Sequence, residues 1–147
     1  MALADYDAAL GHSFGLEIDG IVIKQISEVR GLKMEHDVIE VRQHTADGRY
    51  VVRKLPGRSH GGELTLVRPL TADNGFEKWL QAARFGRIGE ARRGGAVIVY
   101  DQEGSPLKRY RISGAWPRSL EIGALRAGDP GVLTETLVVT YEQMEVE

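Results

Sequence analysis

No cysteine occurs among the 147 residues of this chain, which excludes a disulfide framework, a thiolate metal site and a cysteine nucleophile. No apolar run approaches the ~20 residues that cross a bilayer as a helix. The first twelve residues, MALADYDAALGH, are acidic and only mildly apolar, unlike a secretory leader with its basic start and apolar centre. The expectation is assembly in the cytoplasm, export if any by another route, and no insertion of the chain into a membrane. An excess of one charge is also lacking: 19 Lys and Arg stand against 21 Asp and Glu, a net charge of -2. That balance gives no global electrostatic case for nucleic acid or an acidic membrane. Aromatics make up only 7%, too few to interleave a basic surface with stacking rings.

What is present favours strands. A hydrophobic content of 42% suits one domain, residues 1–147, burying its own core. Eighteen Gly and five Pro turn the chain often, as many short strands require. The stretch Val132 to Met144, VLTETLVVTYEQM, alternates with period 2 and is rich in Thr, Val and Tyr. Leu133, Leu137, Val139 and Tyr141 share one face, interrupted by Glu135; Thr134, Thr136, Thr140 and Glu142 share the other with Val138. At ~3.3 Å per residue this ribbon spans roughly 40 Å, longer than a small closed domain needs. Leu107 to Trp116 has the same two-sided design: Tyr110, Ile112 and Trp116 on one face, Arg109, Arg111 and Ser113 on the other. Trp116-Pro117 is expected to end it, followed by an irregular loop to Gly131.

Elsewhere, residues 1–12 read as a mobile arm or a short capping helix, and Phe14 to Lys24 as a strand with Asp19-Gly20 as a turn or bulge. Ile26 to Arg42 fits either a helical face (Leu32, His36, Ile39) or a bulged strand (Val29, Met34, Val38, Val41), with Gly31 and the β-branched residues favouring strand. Asp47-Gly48 marks a hairpin turn before Tyr50. Pro56-Gly57 and Gly61-Gly62 are expected to break the chain, and Glu63 to Arg68 forms a strand ended by Pro69. A helix follows: Asp73 as N-cap, Phe76, Trp79, Leu80 and Ala83 as one apolar stripe packing on the core, Arg84 in the last turn and Gly86 closing it. Ala96 to Asp101 is a further strand, turning at Glu103-Gly104. The sum is a mainly β, α+β antiparallel barrel or sandwich with one packed helix.

Chemistry is hard to find. Gly57-Arg58-Ser59-His60-Gly61 matches the nucleophile-elbow spacing, but a strand follows the serine where a helix is needed, and no histidine lies beyond His60 to act as base. It reads as a glycine-rich surface loop. His12, His36, His44 and His60 lack ligand spacing, and Gly86–Gly89 and Gly94-Gly95 lack the frame of a phosphate loop. No catalytic, cofactor-binding or metal residue is assigned, and no cofactor is expected. The basic cluster Arg84, Arg87, Arg92, Arg93 reads as a solvated face, or as one half of a contact between copies whose other half is the acidic end Glu142, Glu145, Glu147.

Taken in order, Phe14-x-x-x-Ile18-Asp19-Gly20, Ser27-Glu28-Val29-x-Gly31-Leu32, Pro56-Gly57, Leu64-Thr65-Leu66-x-Arg68, Asp73-Asn74-x-Phe76-x-x-Trp79, Asp101-x-x-Gly104, Trp116-Pro117 and Val139-x-Tyr141-Glu142 resemble the tail-tube proteins of contractile phages and contractile injection systems. The resemblance covers nearly the whole chain and departs at Pro69 and across Ser119 to Gly131. It implies stacked hexameric rings, each subunit giving two long hairpins to a continuous β-barrel around a channel, with the helix packed outside. It also implies one long strand over 26–42. On that basis Arg109, Arg111, Ser113, Thr134, Thr136 and Thr140 are expected to face the lumen, and Arg92, Arg93, Asp47 and Glu145 to meet neighbouring rings. The implied partners are further copies of the chain, a sheath, baseplate or hub and terminal cap proteins, and a protein or DNA payload. The implied particle resembles a phage tail and is released from the cell in the injection-system case. The expected function is inner tube of an injection system; a DNA-conducting phage tail tube is the alternative, and a monomeric β-sandwich ligand-binding module a third reading of another class.

Overall fold

The computed structural model describes residues 9, 11–19, 23 and 25–147. Most of the expected N-terminal arm or capping helix, and Gly20 of the expected turn, lie outside them. The first strand, β1 (Phe14–Ile18), alternates as expected and runs antiparallel to β6 (Arg93–Tyr100). The doubtful stretch after it becomes two strands instead of one: β2 (Glu28–Arg30) and β3 (Glu35–His44). Gly31 separates them at φ +94, a conformation open to glycine, and a Cβ there would strike the Glu63 carbonyl oxygen.

Among the described residues β3 pairs only with β4 (Tyr50–His60), in a two-stranded ribbon apart from the main sheet. Pro56-Gly57 does not break this ribbon, nor is 57–60 a loop. Pro56 sits opposite Val38 on a strand paired along one edge only, so its missing N–H costs no bond. The register slips between His36 and Val38, and Gly57 leaves room for Asp37 and Ile39: a Cβ there would lie 2.9 Å from the Asp37 Cβ. The turn at Asp47-Gly48 is as expected, with Gly48 at φ +84.

The main sheet runs β1-β6-β7-β8-β5-β2, where β5 is Gly62–Pro69, β7 is Pro106–Ile122 and β8 is Thr134–Tyr141; β9 (Gln143–Val146) pairs with β7 beside β8. Trp116-Pro117 does not end β7, which continues to Ile122 because β8 takes over as its partner from Trp116 onward. The expected single ribbon from 132 to 144 is interrupted: its strand starts at Thr134, stops at Tyr141 and resumes at Gln143. The break at Glu142 faces a bulge in β7. There Arg93 pairs with Ala115 but Gly95 with Ile112, so β7 carries one residue more than its partner, and Gly114 takes φ +63. One inserted residue inverts side-chain parity beyond it. Ile112 and Ala115 are therefore both buried, and Trp116, expected on the core face, is 38% exposed.

The core gathers Ile18, Val97, Ile112 and Ala115 from one half of the sheet and Leu64, Leu66, Leu137, Val139 and Tyr141 from the other, closed by Phe76 and Trp79 of α1 (Gly75–Arg84). Asn74, not Asp73, occupies the N-cap position; the Asp73 carboxylate instead accepts the Gly75 N–H at 2.8 Å. At the other end Gly86, at φ +74, donates to Ala83 and Arg87 donates to Ala82, a paired C-terminal closure. A second helix, α2 (Ile88–Ala91), lies beside it, and the Trp79 indole N–H donates to the Ala91 carbonyl at 2.6 Å.

Candidate functional surfaces

The six residues expected at a lumen fall into two groups on either side of the β7 bulge. Arg109, Arg111 and Ser113 lie on the outer face of the β6–β7–β9 half. Arg109 reaches Glu17 at 3.1 Å and Glu147 at 3.9 Å, and Arg111 reaches Glu147 at 3.0 Å. The four charges alternate in sign over β6, and the Ala96 and Ile98 side chains beneath are 4% and 3% exposed. Neutralised in this way, the two arginines offer little free positive charge. An open groove of about 300 Å³ between Glu17, Asp19, Arg109, Arg111 and Ser113 has a glycine floor at Gly94-Gly95.

Thr134, Thr136 and Thr140 lie on the outer face of β8, half-buried between strands on both sides. Thr65, Val67 and Val138 continue that face, as do Trp116, Ser119 and Glu121 in register on β7. Two ion pairs stand on it, Glu28 with Arg30 at 3.6 Å and Glu63 with Arg118. The result is a wall mainly of short hydroxyl and β-branched side chains, with two ion pairs, Glu121 and the ring of Trp116 toward its margins.

The residues expected at helix packing divide in burial. Phe76 and Trp79 are fully buried, Leu80 and Ala83 are half-buried, and Ala82 takes the third core position at 4% exposure. The expected ring contacts divide as well. Asp47 and Glu145 are exposed, Asp47 in the hairpin turn, where the Thr45 hydroxyl and local backbone N–H groups hold its carboxyl below the usual range. Arg92 meets Glu142 of the same chain at 3.6 Å, so basic and acidic ends already touch within one copy. Arg93 is turned inward, donating to the Glu90 and Asp19 carbonyls with its guanidinium 5.8 Å from the Trp79 ring.

Two features escaped sequence reasoning. The first is the partner of Glu135. Arg68, directly opposite on β5, donates from Nε to the Glu135 carboxylate at 2.5 Å; both residues are nearly inaccessible, 2% and 1% exposed. The same guanidinium stacks 3.7 Å over Phe76 and lies 3.7 Å from Asp73, tying β5, β8 and the start of α1 together. The signal was present: a carboxylate on an apolar face needs a cation, and Arg68 sits on the same face of an alternating strand.

The second is where unpaired edges lie. Leu107–Trp116 and Val132–Met144 were expected to leave backbone unpaired. Instead, up to Ala115 β7 lies between β6 and the β8/β9 edge, from Trp116 to Ile122 it pairs with β8 alone, and β8 lies between β5 and β7. The bare ribbon is β3–β4. Almost every residue on it is exposed, including Val38 at 65%, Tyr50 at 56% and Ile39 and Leu55, a cross-strand pair, at 49% each. Three of the four histidines sit on it: His36, His44 edge-on to Tyr50, and His60 hydrogen-bonded to Asp37. Among the described residues, no cluster of His, Cys, Asp or Glu is placed to hold a metal ion, and no helix is long and apolar enough to cross a membrane.

The chain is similar in fold to chains of three solved particle structures. It resembles a chain of the PVC extracellular contractile injection system sheath–tube complex in its extended state, at 17% identity over 97% of this chain and 93% of that one, with a TM-score of 0.79. A chain of the PVC sheath/tube terminator matches at 17% identity over 98% and 99%, TM-score 0.80. One from the anti-feeding prophage cap, a tube-terminating cap, matches at 17% over 100% and 95%, TM-score 0.78. These identities establish the shared fold. No match was found among curated protein sequences. The family model for the T4-like virus tail tube protein gp19 matches residues 11–145. With that match spanning nearly its whole length, this chain belongs to the T4-like tail tube protein family.

Proposed function

We propose that this tail tube protein forms the inner tube of a contractile injection particle, six copies to a ring and rings stacked around a hollow bore. The observation that carries the reading is the β3–β4 ribbon. Among the described residues its faces and outer edges are unpaired, whereas β5, β6, β8 and the first half of β7 have a strand on either side. An exposed apolar ribbon of this kind is an aggregation hazard for a solitary protein and a joint for one that assembles. A second copy seated against Ile39 and Leu55 covers it, and an interface that does not close on itself stacks into a tube.

In that tube Thr134, Thr136 and Thr140, with Arg109, Arg111 and Ser113, face the bore. Hydrated hydroxyls and ion-paired arginines make a wall that lets a protein or DNA payload slide without gripping it. Asp47, Arg92 and Glu145 are the ring-to-ring contacts. A sheath, a baseplate and a terminating cap are the proposed partners, since relatives of the same fold come from a sheath–tube complex, a terminator and a cap. Those relatives favour an injection particle over a phage tail conducting DNA.

Electron microscopy of the concentrated protein tests the reading: stacked rings with six-fold end views are expected, and a strictly monomeric population at high concentration sinks it. Sheath and baseplate genes beside this one, with no capsid or terminase genes, separate the injection particle from the phage.

A further inference from the structure

Both roots of the β3–β4 ribbon meet at one side chain. The outgoing root runs from Gly31 to Met34, between β2 and β3. The returning root is Gly61, the single residue between β4 and β5. Tyr141, the last residue of β8 and 3% exposed, lies between them, and its hydroxyl donates to the Lys33 carbonyl at 2.9 Å. The returning root is pressed against the same residue. A Cβ on Gly61 would collide with the Tyr141 carbonyl oxygen, and one on Gly62, its register partner, would sit 2.8 Å from the Tyr141 hydroxyl. Burial pushes the Tyr141 phenol above its ordinary pKa, so it stays protonated and able to donate at any physiological pH.

The ribbon has somewhere else to go. An open cleft of about 230 Å³ separates its base (Met34, Glu35, His36, Ser59, His60) from Gln143, Met144 and Glu145. Two legs rooted beside glycines do not hold an angle against such a space unaided.

We infer that Tyr141 is the positioning residue that sets the angle at which the β3–β4 ribbon projects, by pinning Lys33 with its hydroxyl while its backbone and ring fix the glycine root. This rests on the reading of the ribbon as the joint between copies, since a ribbon held at one angle presents its face already oriented and lowers the ordering cost of association.

The variant Tyr141→Phe keeps the ring and removes the pin. In the unassembled full chain, amide exchange at residues 33–36 and through β3–β4 is expected to rise about tenfold, what losing one hydrogen bond of ordinary strength allows. Exchange in β5 and β8 is expected to stay at its wild-type rate. The concentration needed for rings is expected to rise by a similar factor. Gly62→Ala, which pushes the hydroxyl off Lys33, is expected to give the same ribbon-specific rise. Wild-type exchange at 33–36 in Tyr141→Phe overturns the inference. So does a variant that fails to fold, because the hydroxyl then serves core stability and not the ribbon's angle. A wild-type chain that never forms rings sinks the tube proposal instead, and leaves the exchange result to decide on Tyr141.

Discussion

Arg68 and Glu135 illustrate how a residue that offends its own strand is explained by one on the next. Removing two charges from water is costly, and attraction inside the protein repays that only while both are present. Arg68→Met alone leaves the Glu135 carboxylate buried without its cation, and a loss of about 3–5 kcal/mol is expected from urea unfolding. Arg68→Met combined with Glu135→Leu is expected to recover most of that loss, because an apolar pair suits a site that already holds Phe76. If the double variant is no more stable than the single one, the pair contributes geometry that packing cannot replace. Tyr141 makes a prediction in pH. Its folded pKa is raised by burial, so the protonated phenol favours the folded state. The stability it contributes is complete below the ordinary tyrosine value near 10 and falls as pH rises through the higher folded value. Urea midpoints at pH ~9 and pH ~11 are expected to drop more in wild type than in Tyr141→Phe.

At the scale of elements, β7 decides most of what strand periodicity misassigned. The bulge at Gly114 turns Ala115 inward and Trp116 outward, and the Glu142 carboxylate fills the space where a Cβ would stand, 2.5 Å away. Gly114→Ala forces an L side chain into φ +63 beside that carboxylate, and a cost of about 1–3 kcal/mol is expected in thermal or urea unfolding. The two tryptophans provide a separate check. Trp79, fully buried, is expected to be protected from an aqueous quencher, whereas Trp116 is quenched in the free subunit. Replacing Trp116 by Phe should remove the quenchable fraction. Its exposure also removes one objection to a ligand-binding module, and family membership is what decides against that reading.

For the whole molecule, body and ribbon are separable. None of the core residues comes from β3 or β4, so replacing residues 36–59 by a short turn is expected to leave a folded monomer with near wild-type cooperativity. The same chain is expected to form no rings under the electron microscope. Rings from the shortened chain would move the joint to the free edges of β1, β2 or β9.

The amino-acid sequence by itself determined the strand-rich composition, the alternating face of β8, the helix with Phe76 and Trp79 inward, and the turns at Asp47-Gly48 and Glu103-Gly104. Each of these depends on neighbours within a few residues, where side-chain period and backbone preference act directly. Only the tertiary structure decided that 26–42 divides at Gly31, that Pro56-Gly57 continues a strand, that Trp116 faces outward, and that the bare ribbon is β3–β4. Those outcomes turn on contacts distant in sequence: the Glu63 carbonyl against Gly31, β8 continuing the pairing of β9 along one edge of β7, and Tyr141 between both roots. A one-residue bulge costs little locally yet inverts the positions after it, here as far as the second register shift between Pro117 and Ser119, so its consequences become legible only when the partner strand is in place.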